Sequence, residues 1–424
     1  MQRTRALALA LSFAIWPCTL GAQRNPRSTP AAAVPAVHPA VRAALERVRA
    51  DNEWTLQQQA SICEIPAPPF REERRAAEMK RRFEELGLQN VRVDSIGNVI
   101  AERPGSGTGP VIIFSAHLDT VFPEATDVRV RREGTILRGP GIGDNCRGLA
   151  VLLAVARAMR AADVRTEGAI FFVANVGEEG PGNLRGVRYL FSRPPAPIDY
   201  FVAVDGTGLG LTSRAVGSNR YRVSFRGPGG HSYGAFGMPN PIHALGRAIA
   251  KIAEIQVPAE PKTTFNVGIV EGGTSVNTIS PLGSMEVDLR SESPRELARL
   301  DSLFRKAVNE ALEAERARWP DSRVPLSVEI ESMGVRPAGS QPDTALIVRT
   351  AQAAARALGF ESPTSASSTD ANLPISLGIP AITLDGGGRG SGAHSLSEYY
   401  DDGDRGWLGP QWALLVITSL AGVR

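Results

Sequence analysis

Short, almost continuously apolar runs recur along this chain, separated by charged or glycine-rich segments. Val111–Ala116, Ala169–Val176, Tyr200–Val204 and Ile379–Leu384 are four of them. Runs without polar alternation predict strands covered on both faces. Helical spacing fills the intervals. It begins near Val41, continues in the charged amphipathic stretch Arg71–Leu86, which Gly87 stops, and returns in the apolar stretch Leu149–Met159. Alternating strands and helices predict an α/β domain built on a largely parallel sheet.

The middle of the chain has a different texture. Tyr221–Arg226 alternates as a half-exposed strand does. Pro239–Ile255 reads as a helix, Thr263–Val270 and Ser284–Arg290 as strands, Pro294–Ala317 as a long charged helix and Leu326–Ile330 as a last strand. Two strand–helix–strand units predict a small α+β, ferredoxin-like domain inserted in the larger one. The predicted organisation is a signal peptide over 1–22, a flexible leader over 23–39, catalytic-domain segments over 40–215 and 336–424, and the inserted domain over 216–335.

Composition changes this picture little. The 424 residues are 42% hydrophobic and 21% charged, as in ordinary globular proteins, and the net charge of +3 is spread without a basic block. Nothing in that distribution calls for a nucleic acid or an acidic membrane surface. The N-terminus is the exception. Two arginines within Met1–Arg5, the apolar run Ala6–Trp16 and the small-residue exit Pro17–Ala22 form a secretory signal, too short to span a membrane. Export to the periplasm or the exterior is the expected localisation. Its removal leaves Cys63 and Cys146, too far apart for a disulfide framework and unlike a Cys-x-x-Cys zinc site. Cys146 reads as a buried inert thiol.

Candidate chemistry sits where the apolar runs end. His117 and Asp119 form a His-x-Asp pair after the first run. Two residues apart on an extended chain they point the same way, and a metal-bound imidazole needs an acceptor for its other N–H. Asp144 lies in the glycine-rich turn Gly139–Gly148 ahead of a helix, where a helix N-cap or an anion-cradling loop would also fit. Glu178 and Glu179 are adjacent carboxylates that would repel at a buried strand end unless cations or separate tasks divide them. Asp205 precedes Gly206, and His394 follows a run of glycines. Singly each is a turn residue. Together, two imidazoles and three carboxylates can hold two divalent cations that share one carboxylate, and such a pair activates water for amide hydrolysis.

With these residues in view, the chain resembles the co-catalytic zinc exopeptidases and amidohydrolases that include peptidase T, carboxypeptidase G, aminoacylase, acetylornithine deacetylase and succinyl-diaminopimelate desuccinylase. The resemblance spans about residues 41–424. It rests on SAHLDTV, GIGDNCRG, GEEG, GGHSYG, the Asn before Thr-Ile-Ser-Pro, STDAN and the late His. It implies that His117 and Asp205 bind one metal, that Glu179 and His394 bind the other, and that Asp144 bridges them. Glu178 would be the general base and Asp119 would orient His117. A cis peptide is implied at Asp144–Asn145. The inserted domain would be a lid and dimerisation element, giving a homodimer. In it His231 would stabilise the oxyanion, reaching in from the partner subunit in several members. Asn277 and Arg290 would hold the substrate backbone or a terminal carboxylate.

Two divalent cations are therefore the expected cofactors, zinc by default from the N/O donors, with manganese or cobalt as alternatives. Within the resemblance, Asp at position 205 leans towards substrates with a free amino terminus. STDAN leans towards the peptidase T side, where Asp370 would touch the amine, unless it is a turn or cap residue. The expected activity is cleavage of small peptides by a two-metal exopeptidase. The close rival is deacylation of N-acyl amino acids, and the rival from another class is a metal-binding protein without turnover. The intact Glu178 speaks against the last.

Overall fold

The computed structural model describes residues 34–107 and 109–424. The signal-peptide assignment, Met1–Ala22, lies outside them. Of the predicted leader, residues 34–39 are described and are already structured. Pro35–Val37 form a 3-10 turn, and the first helix opens at Pro39. Val34 and Ala36 pack against the main core, which extends order beyond the Pro/Ala composition of this stretch.

Four strands at the centre of the main sheet are parallel neighbours: Ile170–Asn175, Ile112–His117, Tyr200–Val204 and Ala381–Leu384. Antiparallel strands extend the sheet on both sides. Val99–Arg103 pairs with Ile170–Asn175, and Leu211–Ala215 pairs with Ala381–Leu384. The sheet is thus α/β and largely parallel, as the apolar runs predict. Alternate side chains feed two cores. Ile112, Phe114 and Phe172 join Phe83, Trp412 and the helix Cys146–Ala161 on one face. Ile113, Phe171 and Phe201 pack against Val187, Leu190 and Ile375 on the other. Burial on both faces is why these strands carry no polar alternation.

The inserted domain is a four-stranded antiparallel sheet. Its order is Thr263–Gly272, Leu282–Ser291, Gly217–Arg226, Ser327–Arg336. One face buries Tyr221, Val223, Phe225, Val287 and Leu289 against Leu300, Phe304 and Val308 of the helix Pro294–Ala317 and against the helix Pro241–Ala253. Its strands run longer than the apolar positions alone predict, because ladder pairing continues through polar residues such as Ser218 to Arg220.

Two features differ from the sequence reading. First, Cys63 and Cys146 form a disulfide with their Cα atoms 5.4 Å apart. Cys146 is therefore not a free thiol. Folding joins the end of the helix Asn52–Cys63 to the start of Cys146–Ala161, a proximity that sequence spacing cannot show. Second, a small sheet of three-residue strands pairs Ile136–Arg138 with Tyr399–Asp401. It brings the late part of the chain beside the glycine-rich turn. Among the described residues no helix is long and apolar enough to cross a membrane.

Candidate active site: a two-metal cleft

The carboxyl ends of the four parallel strands meet on one edge of the sheet, where open α/β folds bind ligands. His117 ends its strand, Asp205 follows Val204, and Glu178 and Glu179 lie just past Asn175. The short sheet delivers His394. Asp144 comes from the turn ahead of Cys146–Ala161, and its peptide to Asn145 is cis. Asn145 rather than Asp144 is the helix N-cap. Its side chain accepts from Gly148 N at 3.0 Å and donates to Val204 O at 2.8 Å, tying the helix start to the strand that presents Asp205.

Among the described residues three groups of metal-type side chains converge: His117, Asp144 and Asp205; Asp144, Glu179 and His394; and His117, Glu178 and Glu179. The first two have Asp144 in common. The two oxygens of Asp144 face different imidazoles. Oδ1 lies 3.1 Å from His117 Nε2, and Oδ2 lies 3.2 Å from His394 Nε2. Asp205 Oδ1 is 3.6 Å from His117 Nε2, and Glu179 Oε1 is 3.0 Å from His394 Nε2. Donors about 2.1 Å from a tetrahedral zinc stand about 3.4 Å apart, so these spacings match the edges of coordination polyhedra. His117 Nε2 and Asp144 Oδ1 are buried and make no hydrogen bond, as donor atoms reserved for a cation do. The residues fit a pair of divalent cations.

Electrostatics agree. Burial works against a charged His117, yet the neighbouring carboxylates of Asp119, Asp144 and Asp205 hold its pKa well above the ordinary imidazole range. Hydrogen bonds to Asp144 and Glu179 push His394 up to about 10. Burial raises Glu179.

The surrounding residues support the ligands. His117 Nδ1 lies 3.0 Å from the carbonyl of Asp119, closer than the 3.6 Å to its carboxylate. The Asp119 carboxylate instead accepts from Glu178 N and Glu179 N at 3.0 and 2.8 Å. Asp119 thus orients His117 chiefly through its carbonyl and the Glu178–Glu179 turn through its side chain. Glu178 is 4% exposed, and burial lifts its pKa well above the carboxylate range, although Arg336 and His117 oppose the shift. Arg336 donates to Glu178 Oε1 at 2.7 Å and also to its carbonyl.

The cleft forms a cavity of about 490 Å³, and Asp144, Glu178, Glu179, Asp205 and His394 line it together with Arg290, Arg220, Arg336 and Asp385. Arg290 lines the cavity from the lid strand Leu282–Ser291. Asp288 holds it at 2.6 Å and Arg220 at 3.3 Å. Asp370 is placed differently. It is buried beside the cleft and accepts from Asn175 Nδ2 at 2.7 Å, but it does not line the cavity. His231 and Asn277 are exposed on the lid and stand outside the cavity of their own chain. Sequence reasoning missed Arg336, Arg220 and Asp385. Asp385 carried the same signal as Asp205, an acid directly after an apolar run. The two arginines alternate within polar stretches and gave no signal.

A two-metal cleft at the carboxyl edge of an α/β sheet, under an inserted lid, defines the class. Residues 113–405 match the model of Peptidase family M20/M25/M40, and the chain belongs to that family of hydrolases. It is 27% identical over 362 residues to YqjE, an uncharacterised protein of Bacillus subtilis, covering 80% of this chain and 88% of the other. It is 28% identical to the succinyl-diaminopimelate desuccinylase of Bordetella petrii, over 48% of this chain and 58% of that one. The crystal structure of aminopeptidase PepT from Bacillus cereus superposes with a TM-score of 0.70 at 22% identity, covering 89% of this chain and 99% of that one.

Proposed function

We propose that the protein is an exported, two-metal exopeptidase that releases the amino-terminal residue of small peptides. The observation that carries this reading is the pair of triads sharing Asp144, with Glu178 beside them. Zinc is the cation that the N/O donor set favours. When bound, the two cations lower the pKa of water and polarise the scissile carbonyl. Glu178 accepts the proton of the attacking water and returns it to the leaving amine nitrogen. Arg336 favours the ionised form of Glu178 and so opposes, without reversing, the upward shift that burial imposes. Arg290 and Arg220 suit the terminal carboxylate of the substrate, and Asp385, which lines the cavity, suits its ammonium group better than Asp370 does. The cavity volume lies within the range of about 300–1,000 Å³ usual for small-ligand sites.

A lid-mediated homodimer is part of the proposal. Thr263–Gly272 is an edge strand on which Ile269 and Val270 are exposed, and His231 is exposed on the lid, where a second copy could meet it. Export draws support from the buried disulfide, since such bonds persist in oxidising compartments.

Glu178→Gln should abolish turnover of di- and tripeptides while two equivalents of metal stay bound. Activity that survives the substitution removes Glu178 from the role of base. The cationic lid face also suits N-acyl amino acids, which carry a free carboxylate and no ammonium. Comparing dipeptides with their N-acetylated forms separates the readings, and preference for the blocked forms establishes the deacylase.

A further inference from the structure

Glu398 lies four residues after His394 and is 2% exposed. Its carboxylate is not among the metal-type triads, yet it is spent entirely on the turn that carries Asp144. Oε2 accepts from Gly141 N at 2.7 Å, and Oε1 accepts from Gly143 N at 2.8 Å and from Asp144 N at 2.9 Å. The carbonyl of Glu398 accepts from Gly139 N at 3.1 Å. One residue thus takes four backbone N–H groups from a six-residue stretch, including that of the shared ligand.

The same residue anchors the other ligand. Glu398 N donates to Ser395 O at 3.2 Å, and Ser395 N donates to Gly392 O at 2.9 Å, closing the turn from which His394 projects. His394 has φ +63°, a left-handed conformation that a non-glycine residue keeps only when its surroundings impose it. Directly after Glu398, Tyr399 pairs with Arg138, which leads into the glycine-rich turn. Asp144 and His394 are 250 residues apart in sequence and 3.2 Å apart in space. Glu398 is hydrogen-bonded to the turns of both.

We propose that Glu398 is a positioning residue for the metal pair, fixing the bridging carboxylate of Asp144 against His394. The inference rests on the two-metal reading of the cleft. An acceptor-only carboxylate is required for it. The amide of Gln would present an NH2 to a backbone N–H on one side, so at least one of the three side-chain bonds is lost and the turn must move.

The test is Glu398→Gln, made in the full mature chain, stripped of metal and titrated with Zn²⁺ against a chromophoric chelator. Thermal melts of the metal-free proteins are recorded in parallel. Residues that orient ligands typically change metal affinity ten- to a hundred-fold. The expected result is a loss of that size in at least one of two equivalents, with the metal-free melt changed far less than the zinc-bound melt. Zinc affinities within two-fold of the parent for both equivalents overturn the proposal. So does a loss explained wholly by an unfolded metal-free variant, in which case Glu398 is a general structural residue. If Glu398→Gln is insoluble, Glu398→Asp decides by the same titration, because its shorter side chain cannot reach all three N–H groups. Parent-like binding by that variant also overturns the proposal. A parent protein that binds no zinc refutes the underlying reading instead, a distinguishable outcome.

Discussion

Removing the Cys63–Cys146 bridge is expected to destabilise the protein by up to about 4.5 kcal/mol. The cysteines are 83 residues apart, and closing a loop of that length in the unfolded chain costs about 15 cal/mol/K, which at 25 °C gives that figure. The unfolded chain is more compact than the ideal coil behind that figure and retains some contacts between these segments, so the figure is a ceiling. Both residues are 0% exposed, so a reductant reaches the sulfurs only when the helices separate. The double variant Cys63→Ala/Cys146→Ala should therefore unfold at clearly lower denaturant than the parent, whereas the folded parent resists mild reductant that opens the bond readily in urea. The assay is a thiol count on the mature chain in denaturant, followed by denaturant unfolding of parent and variant. Two titratable thiols in protein made in an oxidising compartment refute the bridge. An unchanged unfolding midpoint in the double variant refutes its energetic role.

Two further outcomes follow from buried charge. Arg75 is 1% exposed and donates to the carbonyls of Cys63, Ile65 and Leu118, the last directly after His117. Arg75→Met leaves these acceptors without a partner at about 1–3 kcal/mol each, so a loss of about 3 kcal/mol or more is expected by denaturant unfolding, with lower bound metal. Burial pushes Asp385 up to about 6. A carboxyl raised on folding adds stability below its unfolded pKa and loses that contribution as pH rises through about 6. Metal-free Asp385→Asn should therefore match the parent near pH 4 and exceed it at pH 8, by about 1 kcal/mol after allowing for solvent screening in the open cleft. Parent-like pH dependence of the variant's melting temperature would contradict this.

The residues that bind and those that support them were not equally legible in the sequence. The ligands stand at the ends of strands buried on both faces, and those strands write themselves as apolar runs, so His117, Glu179 and Asp205 could be found by where a run stops. Asp144 and His394 sit in glycine-rich turns with no periodicity; the donor set as a whole joined them to the rest, and only the resemblance divided the five between two metals. Glu398 was invisible. In SLSEYYDD it reads as part of an acidic surface stretch, and its burial depends on three-residue strands too short to leave a pattern. Arg336 ends a strand of alternating exposure, and nothing local tells that its guanidinium meets Glu178 from 158 residues away. The disulfide was misread for the same reason, since partners 83 residues apart become neighbours only through helix packing.

The position of the lid insertion adds a mechanical consequence. The chain enters the lid after Val216 and leaves it at Arg336–Pro337, and the two crossings run side by side. A Cβ placed on Gly217 would stand 2.4 Å from Ala338 N, so glycine is required for that approach. Asn372, fully buried in the STDAN segment, donates from one amide nitrogen to Val216 O at 2.8 Å and to Pro337 O at 3.0 Å, clamping both crossings to the catalytic domain. Arg336, the last residue of the last lid strand, holds Glu178, while Arg290 and Arg220 project into the cleft from the neighbouring lid strands. Arg290 and Arg336 both pair with Ser218, so they stand level at the hinge end of the lid sheet, and Arg220 lies two residues further along the strand between them. The arginines that face the cleft are therefore carried by the part of the lid nearest the clamped crossings. Their register with the Arg336–Glu178 pair is set by ladder hydrogen bonds, which is why a polar stretch with no apolar signal is held so firmly beside the cleft.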